Sequence, residues 1–399
     1  MTGFASRRAL LRGAGALFAW SYRPRLASAA RRDPRLLVVL LRGGLDGLAA
    51  VPALGDPAFD SARLAPELRE AGATVPLDGL FALNRNMPAL AQLYRDREAL
   101  IVHAVATSYR QRSHFDGQDM LENGMPDLVA GSRSGWLNRA LEALPRGERL
   151  PPPKGLAIAP TIPVIMLGAA PVETWQRQAF RYADDDTVAR LLDLYEARDP
   201  RLAAALRDGV QLDALTMTDG KAPRPAGGRP DFSTDAVAAA RIMARPDGPR
   251  IASMSFTGWD THAGQGSIQG GLGRNLAALD DAIAAFRTGL GPVWADTVVV
   301  VVTEFGRTVR LNGSRGTDHG TATVAFLIGG AVKGGRVLAD WPGLAEHQLR
   351  DARDLAPTTD LRAVMKGVLA EHLGLEDRVL GDRIFPQSAG VARVRGLVG

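Results

Sequence analysis

Apolar residues are grouped along the chain in short uninterrupted runs, separated by longer segments in which polar and apolar positions mix. The five clearest runs predict buried strands at residues 36–41, 99–106, 251–256, 297–302 and 323–328. The run 298–302 consists of five valines. β-Branched residues without polar alternation are typical of a strand that is buried on both faces, as in a parallel sheet.

Helical patterns lie between these runs. The clearest has one apolar face, spaced by threes and fours, formed by Leu272, Leu276, Leu279, Ile283, Phe286 and Leu290. A second apolar pattern covers residues 361–369, begins at Thr359 or Asp360 and ends near Gly374. Strands that alternate with helices predict a three-layer α/β/α sandwich with a mostly parallel central sheet.

The composition supports one large folded domain. Apolar residues make up 46% of the chain and charged residues 23%, which permits a sizeable core. No apolar run approaches the roughly 18 residues of a membrane span. We predict a single domain over residues 30–399, with an exposed loop at 218–230, where Gly, Pro and charged residues concentrate. The absence of cysteine excludes disulfides, thiolate metal ligands and cysteine nucleophiles.

Residues 1–29 have the order of features found in a twin-arginine signal peptide. The arginine pair Arg7 and Arg8 is followed by a short apolar stretch at 13–20 and an A-x-A-type cleavage site at 27–29. We therefore expect export to the periplasm or the extracellular space, with the twin-arginine translocase as a partner during export. That route carries folded proteins, which suits a metal acquired in the cytoplasm.

The net charge gives no case for a nucleic-acid or anionic-membrane partner. The whole chain carries a formal charge of +5, and residues 1–29 contain five arginines and no acidic residue. The remaining chain is therefore neutral, whereas proteins that bind nucleic acid usually carry a basic patch.

Carboxylates and histidines concentrate directly after the predicted strands. Open α/β sheets bind their ligands beyond the carboxyl ends of the strands, so these segments predict the functional site. They comprise residues 42–47, 107–116, 257–262 and 303–308, together with 315–320, which precede the fifth run. Oxygen and imidazole ligands without thiolate suit Zn, Mn, Mg, Ca or Fe, so we expect one or two divalent metal ions.

Several of these segments resemble a known family. They are 41–48 (LRGGLDGL), 112–116 (RSHFD), 135–138 (GWLN), 260–264 (DTHAG), 304–308 (EFGRT) and 316–320 (GTDHG). They are similar to an exported bacterial family known as domain of unknown function 1501, in the alkaline-phosphatase-like (sulfatase-like) superfamily. The resemblance covers most of the chain after residue 29. It implies an alkaline-phosphatase-like fold and hydrolysis of phosphate or sulfate esters.

The resemblance also implies roles for individual residues. The metal ligands would be Asp46, Asp260, His262, Glu304 and His319, and Asp318 or His114 could compensate for the ligand that Phe305 replaces. Ser113 falls at the position of the superfamily nucleophile, and His114 beside it is a further catalytic candidate. Arg42 and Arg307 are candidates for substrate binding, because a guanidinium matches the geometry of phosphate and sulfate.

Each of these residues also has a structural interpretation. Asp46 lies in a glycine-rich turn, Ser113 could cap a helix, and Glu304 could pair with Arg307. The leading hypothesis is a hydrolase acting on a small anionic ester. The alternative is a non-catalytic exported protein with a degenerate metal site that binds a partner or a cell-surface polymer. Phe305 favours this alternative, since the superfamily has a histidine there. A metal-free anion binder using both arginines is a third possibility.

Overall fold

The structure is a computed structural model that describes residues 32–129, 132–144, 154–176, 185–216 and 232–399. The predicted signal peptide at 1–29 lies outside the described residues, as does the predicted loop at 218–230. Residues Pro34–Gly399 group into one unit. Within the described part of the chain, no helix combines the length and the apolar character needed to cross a membrane.

A nine-stranded sheet forms the centre of the fold, in the order β10-β4-β9-β8-β1-β7-β5-β6, with β11 also paired to β4. Strands β2 and β3 form a separate antiparallel pair. The strands are β1 Arg35–Arg42, β2 Thr74–Pro76, β3 Ala82–Asn84, β4 Ala99–Ala106, β5 Gly155–Ile158, β6 Val172–Trp175, β7 Ile251–Thr257, β8 Thr297–Thr303, β9 Thr323–Ile328, β10 Arg336–Leu338 and β11 Thr359–Asp360.

All pairings in the large sheet are parallel except those of β9, which runs antiparallel to both β4 and β8. The start of β9 therefore lies at the same edge of the sheet as the carboxyl ends of the other strands. This direction matters for the site, because it brings the whole connection from β8 to β9 to that edge.

Helices cover both faces of the sheet. They are α1 Gly47–Ala50, α2 Phe59–Arg63, α3 Pro88–Arg95, α4 His114–Asn123, α5 Trp136–Ala143, α6 Asp185–Arg198, α7 Pro200–Thr216, α8 Phe232–Met243, α9 Gly271–Leu290, α10 Leu361–Leu373 and α11 Asp377–Val379. Short 3-10 turns lie at Pro66–Arg69, Val164–Met166, Gly291–Asp296 and Glu346–Gln348, and a π-helical turn lies at Leu380–Ile384.

The central strands bury side chains on both faces, as the valine run predicts. In β8, Val299 and Val301 pack into one core with the apolar face of α9. The alternate valines of the same strand pack into a second core with α5 and α10. Successive side chains of a strand point to opposite faces, so the valine run supplies both cores.

The predicted three-layer α/β architecture with a mostly parallel sheet is confirmed. All five predicted strands are present, and so are both predicted helices. Asp360 caps the start of α10, and Gly374 ends it with a left-handed backbone at φ 70°. The shorter strands were not predicted, because runs of two to four residues lack a recognisable period.

One buried carboxylate links α9 to α3. Asp280 on α9 is 4% exposed and accepts hydrogen bonds from the backbone N–H groups of Ala89 and Leu90, both at 2.8 Å, in the first turn of α3. Burial raises the pKa of Asp280 to about 6, against an ordinary value of 3.8, although the two hydrogen bonds oppose the shift.

This raised pKa predicts a stability that falls with rising pH. Between about pH 4 and pH 6 the folded state binds more protons than the unfolded state, so the stabilisation is complete below pH 4 and is lost as the pH rises to 6. The contribution of Asp280 to the free energy of unfolding, taken as the difference between the wild type and Asp280→Asn in urea titrations, should fall by roughly 3 kcal/mol across this window. Asp280→Asn should remove that component of the slope, whereas Asp340→Asn, at an exposed position, should keep it. An unchanged slope in Asp280→Asn would contradict this assignment.

Candidate metal centre

Four segments meet beyond the carboxyl edge of the sheet. They are the turns after β1, β7 and β8 and the segment that leads into β9, and the first turn of α4 joins them. Backbone hydrogen bonds tie the loops together: Thr317 N–H donates to Thr261 at 3.0 Å, and Gly320 N–H donates to Gly306 at 2.8 Å. The loops therefore hold their side chains on a connected backbone framework.

Two glycines allow the loops to approach this closely. Gly43 has φ 121°, and a Cβ there would lie 2.4 Å from the Asp260 backbone nitrogen. A Cβ on Gly316 would lie 2.2 Å from the His262 carbonyl carbon. Both contacts are closer than real Cβ atoms reach, so these positions require glycine if Asp260 and His262 are to keep their places.

Three histidine side chains converge on one carboxylate oxygen. The Oδ1 atom of Asp260 lies 2.9 Å from His262 Nε2, 3.3 Å from His319 Nε2 and 3.4 Å from His114 Nε2. The Nε2 atoms of His262 and His319 are themselves 3.0 Å apart. Among the described residues, His114, Asp260 and His319 form a group whose ligand atoms lie close enough together to hold a metal ion.

The opposite ring nitrogen of each histidine is held by a separate acceptor. Nδ1 lies 2.9 Å from Glu304 in His114, 3.0 Å from Asp318 in His262 and 2.8 Å from the Arg112 carbonyl in His319. An acceptor at Nδ1 favours the tautomer with the proton there, which leaves the Nε2 lone pair directed at the common centre. Metal-binding histidines usually have such a partner.

Glu304 joins the site to the fold. Its side chain is fully buried, and Oε1 accepts hydrogen bonds from the Gly43 N–H at 2.8 Å and from Gln118 at 3.1 Å, besides its contact with His114. Its Oε2 accepts a hydrogen bond from Thr303 at 2.8 Å. Burial acts to raise the pKa of Glu304, but the hydrogen bond with His114 and the other donors hold the pKa below its ordinary value. Glu304 is therefore an anion within the framework.

Arg307 fixes the Asp260 carboxylate. Its side chain is fully buried and donates to Asp260 Oδ1 at 2.7 Å and to the Gly43 carbonyl at 3.2 Å. Burial acts to raise the pKa of Asp260, but the hydrogen bond and charge of Arg307 hold it below the ordinary value. Asp260 is 41% exposed, so it remains a charged group open to solvent.

The histidines differ in their electrostatic surroundings. The hydrogen bond with Glu304 raises the pKa of His114. Burial lowers the pKa of His319. Phe305 is 3% exposed, and its ring lies 4.9 Å from the ring of His114 and 5.1 Å from that of His319. Phe305 therefore supplies an apolar wall beside these two histidines.

The structure gives Ser113 and Arg42 local structural contacts. Ser113 caps α4, and its hydroxyl accepts from the Asp116 N–H at 3.5 Å. Arg42 donates to Gln118 and Glu122, both at 2.7 Å, and thereby fastens α4 to the end of β1.

Asp46 lies among structural contacts of its own. It is 2% exposed, caps α1, pairs with the fully buried Arg63 and accepts a hydrogen bond from Gln265 at 2.7 Å. Sequence reasoning did not identify Arg63 or Gln265, because their contacts with Asp46 depend on tertiary folding.

Sequence reasoning also missed Gln118 and the Arg112 carbonyl. Gln118 could have been found, since it lies one helical turn after His114 and therefore on the same face of α4. The Arg112 carbonyl has no such signal. Arg112 has a left-handed backbone at φ 65°, and no side-chain pattern of this segment predicts that conformation.

Comparison with known proteins gives a family and distant structural similarities. A family profile described as "Protein of unknown function (DUF1501)" matches residues 100–384. No curated protein was found to match the chain.

Three of the similar solved structures illustrate the range of TM-scores and of coverage. A Bacteroides thetaiotaomicron protein of glycosaminoglycan metabolism has a TM-score of 0.42 and 12% identity, covering 90% of this chain and 75% of that chain. Phosphonate monoester hydrolase of Agrobacterium radiobacter has a TM-score of 0.36 and 13% identity, covering 86% and 74%. Alkaline phosphatase from the Antarctic bacterium TAB5 has a TM-score of 0.33 and 12% identity, covering 75% and 92%.

The buried pair of Asp46 and Arg63 predicts a stability effect without a metal effect. Asp46→Asn leaves a buried guanidinium without its counter-charge, so the free energy of unfolding should fall by about 3 kcal/mol in a denaturant titration. The matched control is Asp60→Asn, which breaks an exposed pair with Arg69 and should cost at most about 1 kcal/mol. Elemental analysis of folded Asp46→Asn should find the metal content of the wild type. Loss of metal at unchanged stability would instead make Asp46 a ligand.

Proposed function

The chain belongs to the family of proteins of unknown function DUF1501, so we propose its function from the site itself. We propose that His114, Asp260, His262 and His319 hold one divalent transition-metal ion. The protein would then be a hydrolase of phosphate or sulfate esters. The observation that carries this proposal is the convergence of three Nε2 atoms on Asp260 Oδ1, with every Nδ1 atom held by its own acceptor.

The donor geometry suits a metal ion. Ligand atoms around a tetrahedral ion with bonds of about 2.0–2.1 Å lie about 3.3 Å apart. The contacts of Asp260 Oδ1 with the three Nε2 atoms run from 2.9 to 3.4 Å. His114 Nε2 is moreover buried without a hydrogen-bond partner among the described residues. Lone pairs that face one another at such distances repel unless a cation or a proton lies between them.

The local charge also supports a divalent ion. Asp260, Glu304 and Asp318 are three carboxylates in or directly beside the cluster, and the pKa of each is held below its ordinary value by its hydrogen-bond donors, against the effect of burial. Among the described residues, Arg307 is the cation whose side chain pairs with the Asp260 carboxylate. Two negative charges are left, which one divalent ion would neutralise.

The donor set favours a transition metal. Imidazole ligands suit Zn, Fe, Ni and Cu, whereas Mg and Ca prefer an all-oxygen shell. Glu304 and Asp318 would orient histidines and not bind the metal directly. Phe305 packs against His114 and His319, in the place where the superfamily resemblance calls for a further ligand. We therefore propose one ion and not two.

The proposed reaction is hydrolysis of a small anionic ester. A bound ion would act as a Lewis acid toward an ester oxygen. The chain's own residues open one side of the site to solvent, where the side chains of His262 and Asp318 are 45% and 53% exposed. Because the Ser113 hydroxyl caps α4, we propose water and not Ser113 as the nucleophile. Arg42 and Arg307 would position α4 and Asp260, respectively, and not the substrate.

The non-catalytic alternative retains one specific argument. Both candidate anion-binding arginines are engaged with protein groups, and Arg307 is completely buried. A metal-binding protein that attaches to a cell-surface polymer would need neither arginine free. Export by the twin-arginine route to the periplasm or beyond remains our prediction for either function.

Metal content is the first test. The full chain, purified without chelator, should contain about one equivalent of a transition metal by elemental analysis. His262→Ala should reduce the content to below about a tenth of that value, because it removes one of four ligands at an exposed position. The matched control is His347→Ala, also an exposed histidine, which should keep the full content. Equal metal content in both variants would contradict the proposed ligand set.

Ester turnover separates the two functions. We expect hydrolysis of 4-nitrophenyl phosphate, bis(4-nitrophenyl) phosphate or 4-nitrophenyl sulfate that chelator abolishes and added metal restores. His262→Ala should lower kcat/KM at least about 100-fold. A protein that binds one ion but turns over none of these esters would support the binding function instead.

Ser113→Ala tests the choice of nucleophile. Since the hydroxyl serves as a helix cap, the variant should lose about 1 kcal/mol of stability and keep kcat within about threefold of the wild type. A pre-steady-state burst of product, measured with substrate in excess over the enzyme, that disappears in Ser113→Ala would overturn the assignment of water.

A further inference from the structure

A pocket lies at the same edge of the sheet, beside the later turns of α4. It has about 360 Å³ of empty space, counting its open mouth. No member of the metal cluster lines it. Its floor includes Val302 at the end of β8, and one wall comes from Met120 and Leu121 in the later turns of α4.

The wall of the pocket is mainly apolar and adaptable. Met120, Met125 and Met365 line it together with the rings of Trp136 and Phe385. Methionine side chains adjust to irregular shapes and make favourable sulfur–aromatic contacts. The lining therefore suits the apolar body of a ligand, an aromatic one in particular.

Arg362 gives the same pocket a hydrogen-bond donor. Its Nη2 and Nε atoms bind Asp360, at 2.7 Å and 3.1 Å. Its Nη1 atom is buried and has no hydrogen-bond partner among the described residues. A buried donor without a partner is costly, so an acceptor that reaches Nη1 from the pocket would be stabilised there.

Positive charge is in excess around this donor. Burial lowers the pKa of Arg110, and the positive charges of Arg350 and Arg362 lower it further. Lys366 follows one turn after Arg362 on α10, and burial together with the positive charge of Arg362 lowers the pKa of Lys366. The acidic groups facing this set are Asp360, on Arg362, Asp351, which lies 3.7 Å from Arg350, and Asp377, whose charge acts on Lys366. Four cations against three carboxylates leave one positive charge in excess, which favours an anionic ligand group.

We propose that this pocket binds a small monoanionic amphiphile, an arylalkyl carboxylate, with its apolar body against the methionines and aromatic rings and its carboxylate on Arg362. The site is separate from the metal cluster and does not depend on the proposed hydrolase activity. The single unpaired nitrogen of Arg362, Nη1, matches one carboxylate better than a multiply charged group.

The test compares two ligands that differ only in the head group. Isothermal titration of the full chain with 4-phenylbutyrate should give saturable binding of one molecule, and 4-phenylbutan-1-ol should bind at least about tenfold more weakly. Binding of the carboxylate should persist in His262→Ala and in the presence of chelator, which excludes capture by a metal ion.

Two variants and one control complete the design. Arg362→Gln should reduce the affinity for 4-phenylbutyrate about tenfold and leave that for the alcohol nearly unchanged. Met365→Trp, which fills the pocket, should weaken both ligands. Arg378→Gln removes an exposed arginine charge elsewhere and should change neither. The proposal would be overturned by any of three results. They are equal affinity for the two ligands, an unchanged affinity of Arg362→Gln for 4-phenylbutyrate, or no saturable binding up to about 1 mM.

Discussion

The buried carboxylate of Glu304 is the constraint on which the arrangement of this site depends. A charged group without solvent contact is stable only when donors surround it, and Glu304 has donors from β8, from the turn after β1 and from α4. These donors approach from three different elements. Gly43 can do so only without a side chain, and His114 is oriented as a consequence. The Glu304 carboxylate thus links elements of the fold and also orients His114, so that its Nε2 atom faces Asp260.

The reversed direction of β9 is the second condition. In an all-parallel sheet, the chain after β8 would leave the edge through a crossover helix. Here the connection from β8 returns directly into an antiparallel neighbour, so Glu304, Arg307, Asp318 and His319 all stay at the carboxyl edge. Because β9 is antiparallel, acidic, basic and imidazole side chains all lie on one connection. In an all-parallel sheet, such side chains would have to come from the ends of several strands.

The sequence predicted the layers of this fold because buried strands and amphipathic helices have simple periods. The valine run of β8 and the caps of α10 are local signals that tertiary structure did not override. The sequence also predicted that Asp260, His262 and His319 would meet, since each follows or precedes a strand at one edge. It could not assign individual carboxylates, because that depends on partners far along the chain. Asp46 pairs with Arg63, while Asp318 and Glu304 each hold a histidine.

Helix α4 contributes side chains to both sites. Its first residue, His114, belongs to the cluster, whereas Met120 in its later turns lines the apolar pocket. Arg42 fastens the middle of the helix by binding Gln118 and Glu122. A displacement of α4 by a ligand in the pocket would have to break these contacts before it moved His114. Since Gln118 also binds Glu304, such a movement would disturb the buried carboxylate. The contacts of Gln118 and Glu122 flank Met120, so they hold the helix where it lines the pocket.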